Sequence, residues 1–469
     1  MTAHTAPSIL WFRRDLRLGD HPALLAATES ASSVLPVFVL DPALLRSETP
    51  RTRRLLASVA ALSADTRGAL VIRHGDPLEV IPRLAEEVGA AEVHVSRETT
   101  PYGRRRDERV TEALEAGGRS LVVTGSPYAV GPGRILNQSG TPYKVFTPFS
   151  RAWREHGHPA PAERPTRISW FSGDVARDDL PDAPPPVDGG PDEGSGETFA
   201  AGEAGEAAAL RRWESFLDGG LTAYASERDR PDLDTTSRLG AALKYGEIHP
   251  RTLLADVAAH PGGRGKAATT WVTELIWREF YADVLWHQPD SAWHDLRPEL
   301  ARLPYDEGAA TDRLVGAWRE GRTGYPVVDA GMRQLLAEGF MHNRLRMITA
   351  SFLTKDLHVW WPVGARHFLD HLVDGDIASN NHGWQWVAGT GTDASPYFRV
   401  FNPVTQGKKF DPDGDYVRRW VPELRHVEGS AVHEPWKLDN GYAHDYPQRI
   451  VDHDVERKET LGRYESARR

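Results

Sequence analysis

Short apolar runs alternate with stretches of helical periodicity through the first 124 residues, and nothing else in the chain restricts its fold as strongly. Residues 8–12, 34–40, 69–73, 91–95 and 120–124 read as strands, with helices over 23–29, 53–64, 77–88 and 104–116. Alternating βα units of this length imply a doubly wound parallel sheet. From 159 to 206 the chain changes character, with Pro184, Pro185 and Pro186 among repeated Asp, Gly and Ser, which marks a linker. Beyond it the apolar pattern is helical. Candidate helices cover 210–217, 266–286, 311–320, 326–340, 343–355 and 365–372, with Pro326 suited to a first helical turn. The fold class is therefore α/β plus all-α: a doubly wound parallel-sheet domain over 1–158, a linker over 159–206 and a helical domain over 207–469.

Several chemistries are excluded on composition and motif. The 469 residues contain no cysteine, which removes disulfides, thiolate metal sites and Cys nucleophiles, and fits a reducing cytoplasm. No apolar run approaches the roughly 18 residues of a membrane span, and the N-terminus carries no signal-peptide pattern, so a cytoplasmic protein is expected. Trp11-Phe12-Arg13-Arg14-Asp15 stands where a nicotinamide-binding strand would be followed by Gly-x-Gly-x-x-Gly. The runs beginning at Asp374 and Asp411 start like calcium loops. They fail at position six (Ser379, Tyr416) and position twelve (Gln385, Pro422), and no other metal-ligand spacing occurs.

A net charge of −10 argues against a nucleic-acid partner only if charge is spread evenly. Arg228, Arg344, Arg346, Arg399, Lys408 and Lys409 fall within or beside aromatic-rich motifs, as a local basic stripe would. Residues 374–386 pack two carboxylates, two consecutive amides and the indoles of Trp384 and Trp386 into a segment without apolar periodicity. Such a segment suits a pocket for a planar, hydrogen-bonding ligand. Helical spacing over 271–281 sets Glu274, Trp277, Arg278 and Tyr281 on one face, and Asn343 and Met347 share a face of another helix. From Tyr224 to Leu239 a turn-prone loop ends in Thr236 and Ser237, read as hydroxyls opening a helix and suited to pyrophosphate oxygens. A solvated face, a core pair and a plain N-cap are the ordinary alternatives for these three segments.

These motifs, with Trp11–Arg17 at the front and Pro142–Phe149 later, resemble the DNA photolyase/cryptochrome family over essentially the whole chain. The resemblance is closest to class I cyclobutane pyrimidine dimer photolyases. It implies an α/β antenna domain joined by a long linker to a helical domain that binds FAD and DNA. By that resemblance Tyr224, Thr236, Ser237, Arg238 and Leu239 hold the FAD phosphates. Trp271, Asn343, Arg346, Asp374, Asp376 and Asn380 surround the rest of a folded FAD, with Asp374 and Arg346 as an ion pair and Asn380 facing flavin N5. Gly240 replaces a serine common in the family. Glu274, Trp277, Met347 and Trp386 match the pocket for a flipped dimer, and Arg228, Arg344 and Arg399 match contacts to DNA phosphates. The implied activity is light-driven dimer repair by electron transfer from excited FADH⁻ in a monomeric enzyme. Glu274 would have to be protonated to donate to the dimer, or else accept from an imide N–H.

The rivals are a cryptochrome photoreceptor, a (6-4) photolyase and a plain flavoprotein oxidoreductase. Plant and animal cryptochromes typically carry an acid or a cysteine where Asn380 stands, and (6-4) enzymes a histidine pair at Asn343 and Met347. The run Pro101–Asp107 resembles members that use 8-hydroxy-5-deazaflavin as antenna more than folate-binding ones, with FMN also open. Trp384 and Trp361 match the first two members of the family's tryptophan chain. The third position is Gly308, so Tyr305 is the expected terminal donor, and Trp360 ranks lower because it adjoins Trp361.

Overall fold

The computed structural model describes residues 6–45, 49–181, 203–300, 302–396 and 398–467. Its first part runs β1 (Ser8–Phe12), α1 (Pro22–Ser30), β2 (Val34–Leu40), α2 (Pro50–Asp65), β3 (Val71–His74), α3 (Pro77–Glu87), β4 (Glu92–Val95), α4 (Pro101–Ala116) and β5 (Ser120–Val123). All five strands pair in parallel in the order β3-β2-β1-β4-β5. β1 and β2 are buried along their whole length, as parallel strands covered on both faces must be. β3 starts later than the apolar run because Ala69 N–H and Leu70 N–H bond Thr66 at the end of α2. α2 and α4 start earlier than periodicity indicates. Thr49 and Thr100 accept from the first turn, with Pro50 and Pro101 in the first helical position.

Residues 129–153 leave the sheet. Helix α5 (Phe146–His156) packs Phe146, Phe149 and Trp153 into a core shared with Trp271, Ile276 and Phe280. The buried Glu279 carboxylate fixes this crossing by accepting from the N–H groups of Ala129, Val130 and Gly131 and from Trp153 Nε1. The chain then returns to the sheet, where Val34 bonds Ser169 and Phe171 through the backbone. Most of the expected linker, including Pro184–Pro186, lies outside the described residues.

The remainder is helical: α6 (Glu206–Ser215), α7 (Leu221–Glu227), α8 (Gly240–Tyr245), α9 (Pro250–Ala259), α10 (Lys266–His287), α11 (Ala309–Arg319), α12 (Pro326–Glu338), α13 (Asn343–Ser351), α14 (Trp361–His371), α15 (Ile377–Ala388), α16 (Pro403–Phe410), α17 (Asp415–Trp420) and α18 (His453–Ala467). The helices expected over 210–217 and 343–355 end in single π-turns, Phe216–Gly220 and Phe352–Asp356. Two hydrophobic cores organise this part, one built on α5 to α10 and one on α12 to α15 with α17. Helix α15 has no apolar period because Asn381, His382 and Gln385 share its buried positions with Ala378, Trp384, Val387 and Ala388. Gln385 Nε2 donates to Ser291 O at 2.7 Å, Asn381 Nδ2 donates to Ala292 O, and His382 Nε2 lies 2.9 Å from Ser291 Oγ. Part of the amide cluster read as ligand-binding thus holds the protein's own loop, which satisfies buried polar groups.

Candidate functional site

The residues expected at a base pocket are divided between the two helical cores. Trp277 on α10 packs on the first core, and Met347 on α13 and Trp386 on α15 pack on the second. One face of Trp277 is covered by Phe146, whose ring is 3.6 Å away and tilted by only 5°. That supporting ring sits in the motif that closes the first domain in sequence, and nothing local marks it as part of a site. Asn343 Nδ2 and Arg344 Nη1 each lie 3.9 Å from Met347 Sδ.

Every arginine expected at DNA phosphates on this rim already has a partner or a ring. Arg228 Nη1 donates to Glu274 Oε1 at 2.6 Å, and Arg344 Nη2 to Asp229 Oδ1 at 2.7 Å. The Arg344 guanidinium also sits 4.3 Å over the Phe410 ring. Contacts therefore run without a break from Glu274 through Arg228, Asp229 and Arg344 to Met347 and Asn343, joining α10, the end of α7 and α13. Burial pushes the Glu274 carboxyl up, and Arg228 opposes that shift. Arg399 is exposed, with its carbonyl held by the buried Lys355 Nζ at 3.0 Å.

A cavity of about 740 Å³ is lined by Thr235, Thr236, Ser237, Arg238, Phe340 and Asp374 among others. Thr236 and Ser237 do not cap α8, whose N-cap is Leu239 without a side-chain bond. Arg238 in the left-handed region (φ 47°) turns the chain between them and the helix, so Thr236 and Ser237 line the cavity instead. The buried Thr235 Oγ1 has no hydrogen-bond partner among the described residues, and a phosphate oxygen would satisfy it. Trp271 Nε1 donates to Ser237 Oγ at 3.4 Å, and Tyr224 is buried beside Phe216. Arg346 Nη2 donates to both Asp374 oxygens, at 3.1 and 2.9 Å. Asn380 commits Nδ2 to Ala365 O and Asn381 Oδ1, which leaves its carbonyl oxygen for a ligand. The residues present fit an FAD.

Asp376 departs from the arrangement expected for it. Its Oδ1 caps α15 by accepting from Ala378 and Ser379, its Oδ2 accepts from Arg14 Nη2 at 2.6 Å, and it lines a different cavity. Burial would raise its pKa, but Arg14, Lys244 and Arg278 hold it well below the carboxylate range. A helix cap with a cation across the domain boundary explains its position.

That second cavity, about 900 Å³, opens at the carboxyl ends of β1 and β2, beside the turn after β4. In the order β3-β2-β1-β4-β5 this is the point where the connections reverse, the usual ligand crevice of such sheets. Trp11, Phe12, Phe38 and Trp293 supply apolar wall, and Arg51, Arg105 and Lys244 supply positive charge. Burial lowers Lys244 to about 7. Tyr102 donates to Asp41 across the cavity mouth.

Trp384 is buried against α14, where a Cβ at Gly364 would overlap its ring, one turn from Trp361. The Trp361 and Trp360 rings are 6.4 Å apart, and Trp360 is 6.5 Å from Tyr305. Adjacency in sequence does not make the two indoles redundant. Trp360 is extended (ψ 130°) at the N-cap of α14, so its ring diverges from that of Trp361 toward Tyr305. Both indole N–H groups point at Asp295, at 2.7 Å from Trp361 and 3.4 Å from Trp360.

Residues 8–166 match the family model described as DNA photolyase, and residues 271–466 match the FAD binding domain of DNA photolyase. A deoxyribodipyrimidine photo-lyase of Streptomyces griseus is 44% identical over 98% of this chain and 99% of its own. The fold overlays a class III photolyase of Agrobacterium tumefaciens with a TM-score of 0.89 and 36% identity, covering 100% of this chain and 98% of the other. It also overlays an archaeal photolyase of Sulfolobus tokodaii, solved with two FAD molecules, at a TM-score of 0.82 and 29% identity, covering 98% and 100%. With similarity running from the first strand to the last helix, the chain belongs to the DNA photolyase family.

Proposed function

We propose that the protein is a deoxyribodipyrimidine photo-lyase, a cytoplasmic, monomeric enzyme that splits cyclobutane pyrimidine dimers in DNA under blue or near-UV light. The contact chain from Glu274 to Asn343 carries this reading. A carboxyl, two arginines, a thioether and an amide follow one another along it. A base must leave the helix stack to meet such a set, an operation known for photolyases.

Reduced FAD, when bound, supplies the photoexcited electron that opens the cyclobutane ring and takes it back afterwards. Thr236, Ser237 and Arg238 would hold its phosphates, with Arg346 and Asp374 beside its ring system and the Asn380 carbonyl turned to it. Trp277 and Trp386 would wall the dimer, Met347 would pack on its face, and Glu274 would hydrogen-bond its polar edge. Arg228, Arg344 and Arg399 would hold the flanking phosphates and fix the strand's register.

The second cavity is the place for an antenna chromophore. An anionic planar ring matches its aromatic wall and the Arg51 and Arg105 charges, which favours 8-hydroxy-5-deazaflavin over folate or FMN. The absorption spectrum of the purified holoprotein distinguishes these chromophores.

The deciding experiment irradiates a dimer-containing oligonucleotide with the FAD-reduced protein and measures dimers by chromatography. Dark and (6-4)-photoproduct samples run alongside. Dimer loss that requires light is expected. Unchanged dimers, or loss confined to the (6-4) substrate, would overturn the assignment.

A further inference from the structure

We propose that docking of DNA transfers Arg228 and Arg344 from carboxylates to phosphates and thereby places a proton on Glu274, so that substrate binding itself prepares the acid. The proposal rests on the photo-lyase reading for the identity of the docking partner.

In the free protein the two arginines neutralise two acids. Arg228 holds Glu274 and Arg344 holds Asp229, and residues 228 and 229 are adjacent, so one short segment after α7 contributes a cation to one pair and an anion to the other. All four side chains reach solvent, from 15% exposure at Arg344 to 39% at Asp229, so a polyanion can compete for them. Guanidinium binds phosphate oxygens in the same forked geometry as carboxylate. Several phosphates of one strand compete together, with counterion release adding to the exchange.

The exchange leaves Glu274 and Asp229 on the same rim without their cations. The groups that act on Glu274 are Arg228 and Asp229 after α7, Tyr224 on α7 and Tyr281 farther along α10. Only Arg228 favours the ionised form. Once it turns to phosphate, the remaining neighbours are two phenols and an anion, in a place where burial already favours the neutral carboxyl. Glu274 then takes one proton from the solvent, and no other bond forms or breaks. A protonated Glu274 has an O–H to donate to a pyrimidine carbonyl, where negative charge develops on electron arrival. An ionised carboxylate has none.

The test uses the FAD-loaded protein and a dimer-containing oligonucleotide, titrated calorimetrically in the dark in buffers of different ionisation enthalpy. Because the complex holds more protons than its parts, affinity should fall as pH rises, with log Kd changing by up to about one per pH unit. Glu274→Gln should abolish both the slope and the buffer-dependent heat. Asp229→Asn removes the like charge and keeps Glu274, so it should reduce the uptake while binding persists. Dimer binding without proton uptake, or the same uptake in Glu274→Gln, overturns the proposal and leaves the repair reading standing. Absence of dimer-dependent binding overturns both.

Discussion

Gly240 and Asp374 contend for one space: a Cβ built on Gly240 would stand 2.5 Å from Asp374 Oδ2. Without a Cβ at this position the carboxylate lies against the start of α8 and faces Arg346. Gly240→Ala should displace Asp374 and weaken its contact with Arg346. Loss of one charge-assisted hydrogen bond corresponds to about tenfold weaker FAD binding. Flavin absorbance per protein after dialysis measures it, and full retention would show that Asp374 has another place to go.

Trp360 lies between Trp361 and Tyr305, so it should carry the hole during photoreduction. Asp295 accepts from both indoles and stabilises positive charge on either. The Tyr305 hydroxyl is buried without a partner among the described residues and burial raises its pKa, so oxidation of this phenol finds no proton acceptor there. Photoreduction of oxidised protein with external reductant should slow several-fold in Trp360→Phe and less in Tyr305→Phe. Repair by protein already reduced should be unchanged in both. A parent-like rate in Trp360→Phe removes it from the path.

DNA binding should be sensitive to salt despite the net charge of −10, because the rim arginines displace counterions whatever the distant surface carries. Arg344→Ala should flatten the slope of log affinity against log salt by about one unit for its lost phosphate contact. An identical slope would mean that Arg344 stays with Asp229 in the complex.

His382 predicts acid sensitivity. Its Nδ1 donates to Ala378 O and its Nε2 lies 2.9 Å from Ser291 Oγ, and burial lowers its pKa to about 4. Below an unfolded value near 6.5 the unfolded chain takes a proton that the folded one refuses. Stability is therefore lost as pH falls from about 6.5 toward 4. Between pH 7 and 4.5 this loss should be smaller by roughly 2 kcal/mol in His382→Gln, as read from urea unfolding. Equal losses would place the proton-linked group elsewhere.

The five strands, their parallel sense and the helical second half were legible from apolar spacing, because whether a segment becomes a strand or a helix is written within a dozen or so residues, whereas the strand order was not. The segments carrying Glu274, Asn343 and Asp374 stood out as well, since they crowd polar and aromatic groups where a core has no use for them. Helix α15 was not legible, because its buried positions hold Asn381, His382 and Gln385, whose partners at 291 and 292 give no local signal. The role of Asp376 was hidden for the same reason. Its cation is Arg14, 362 residues earlier, and only the packing of the sheet's carboxyl edge on the helical domain brings the two together. The arginine-carboxylate pairs, the placing of Trp360 between two rings and the Phe146 support under Trp277 likewise arose when distant segments met. Sequence determined which groups were present and how each segment folds. Tertiary structure alone decided which charges neutralise one another, because Coulomb and hydrogen-bond energies depend on separation in space, and chain distance says little about that.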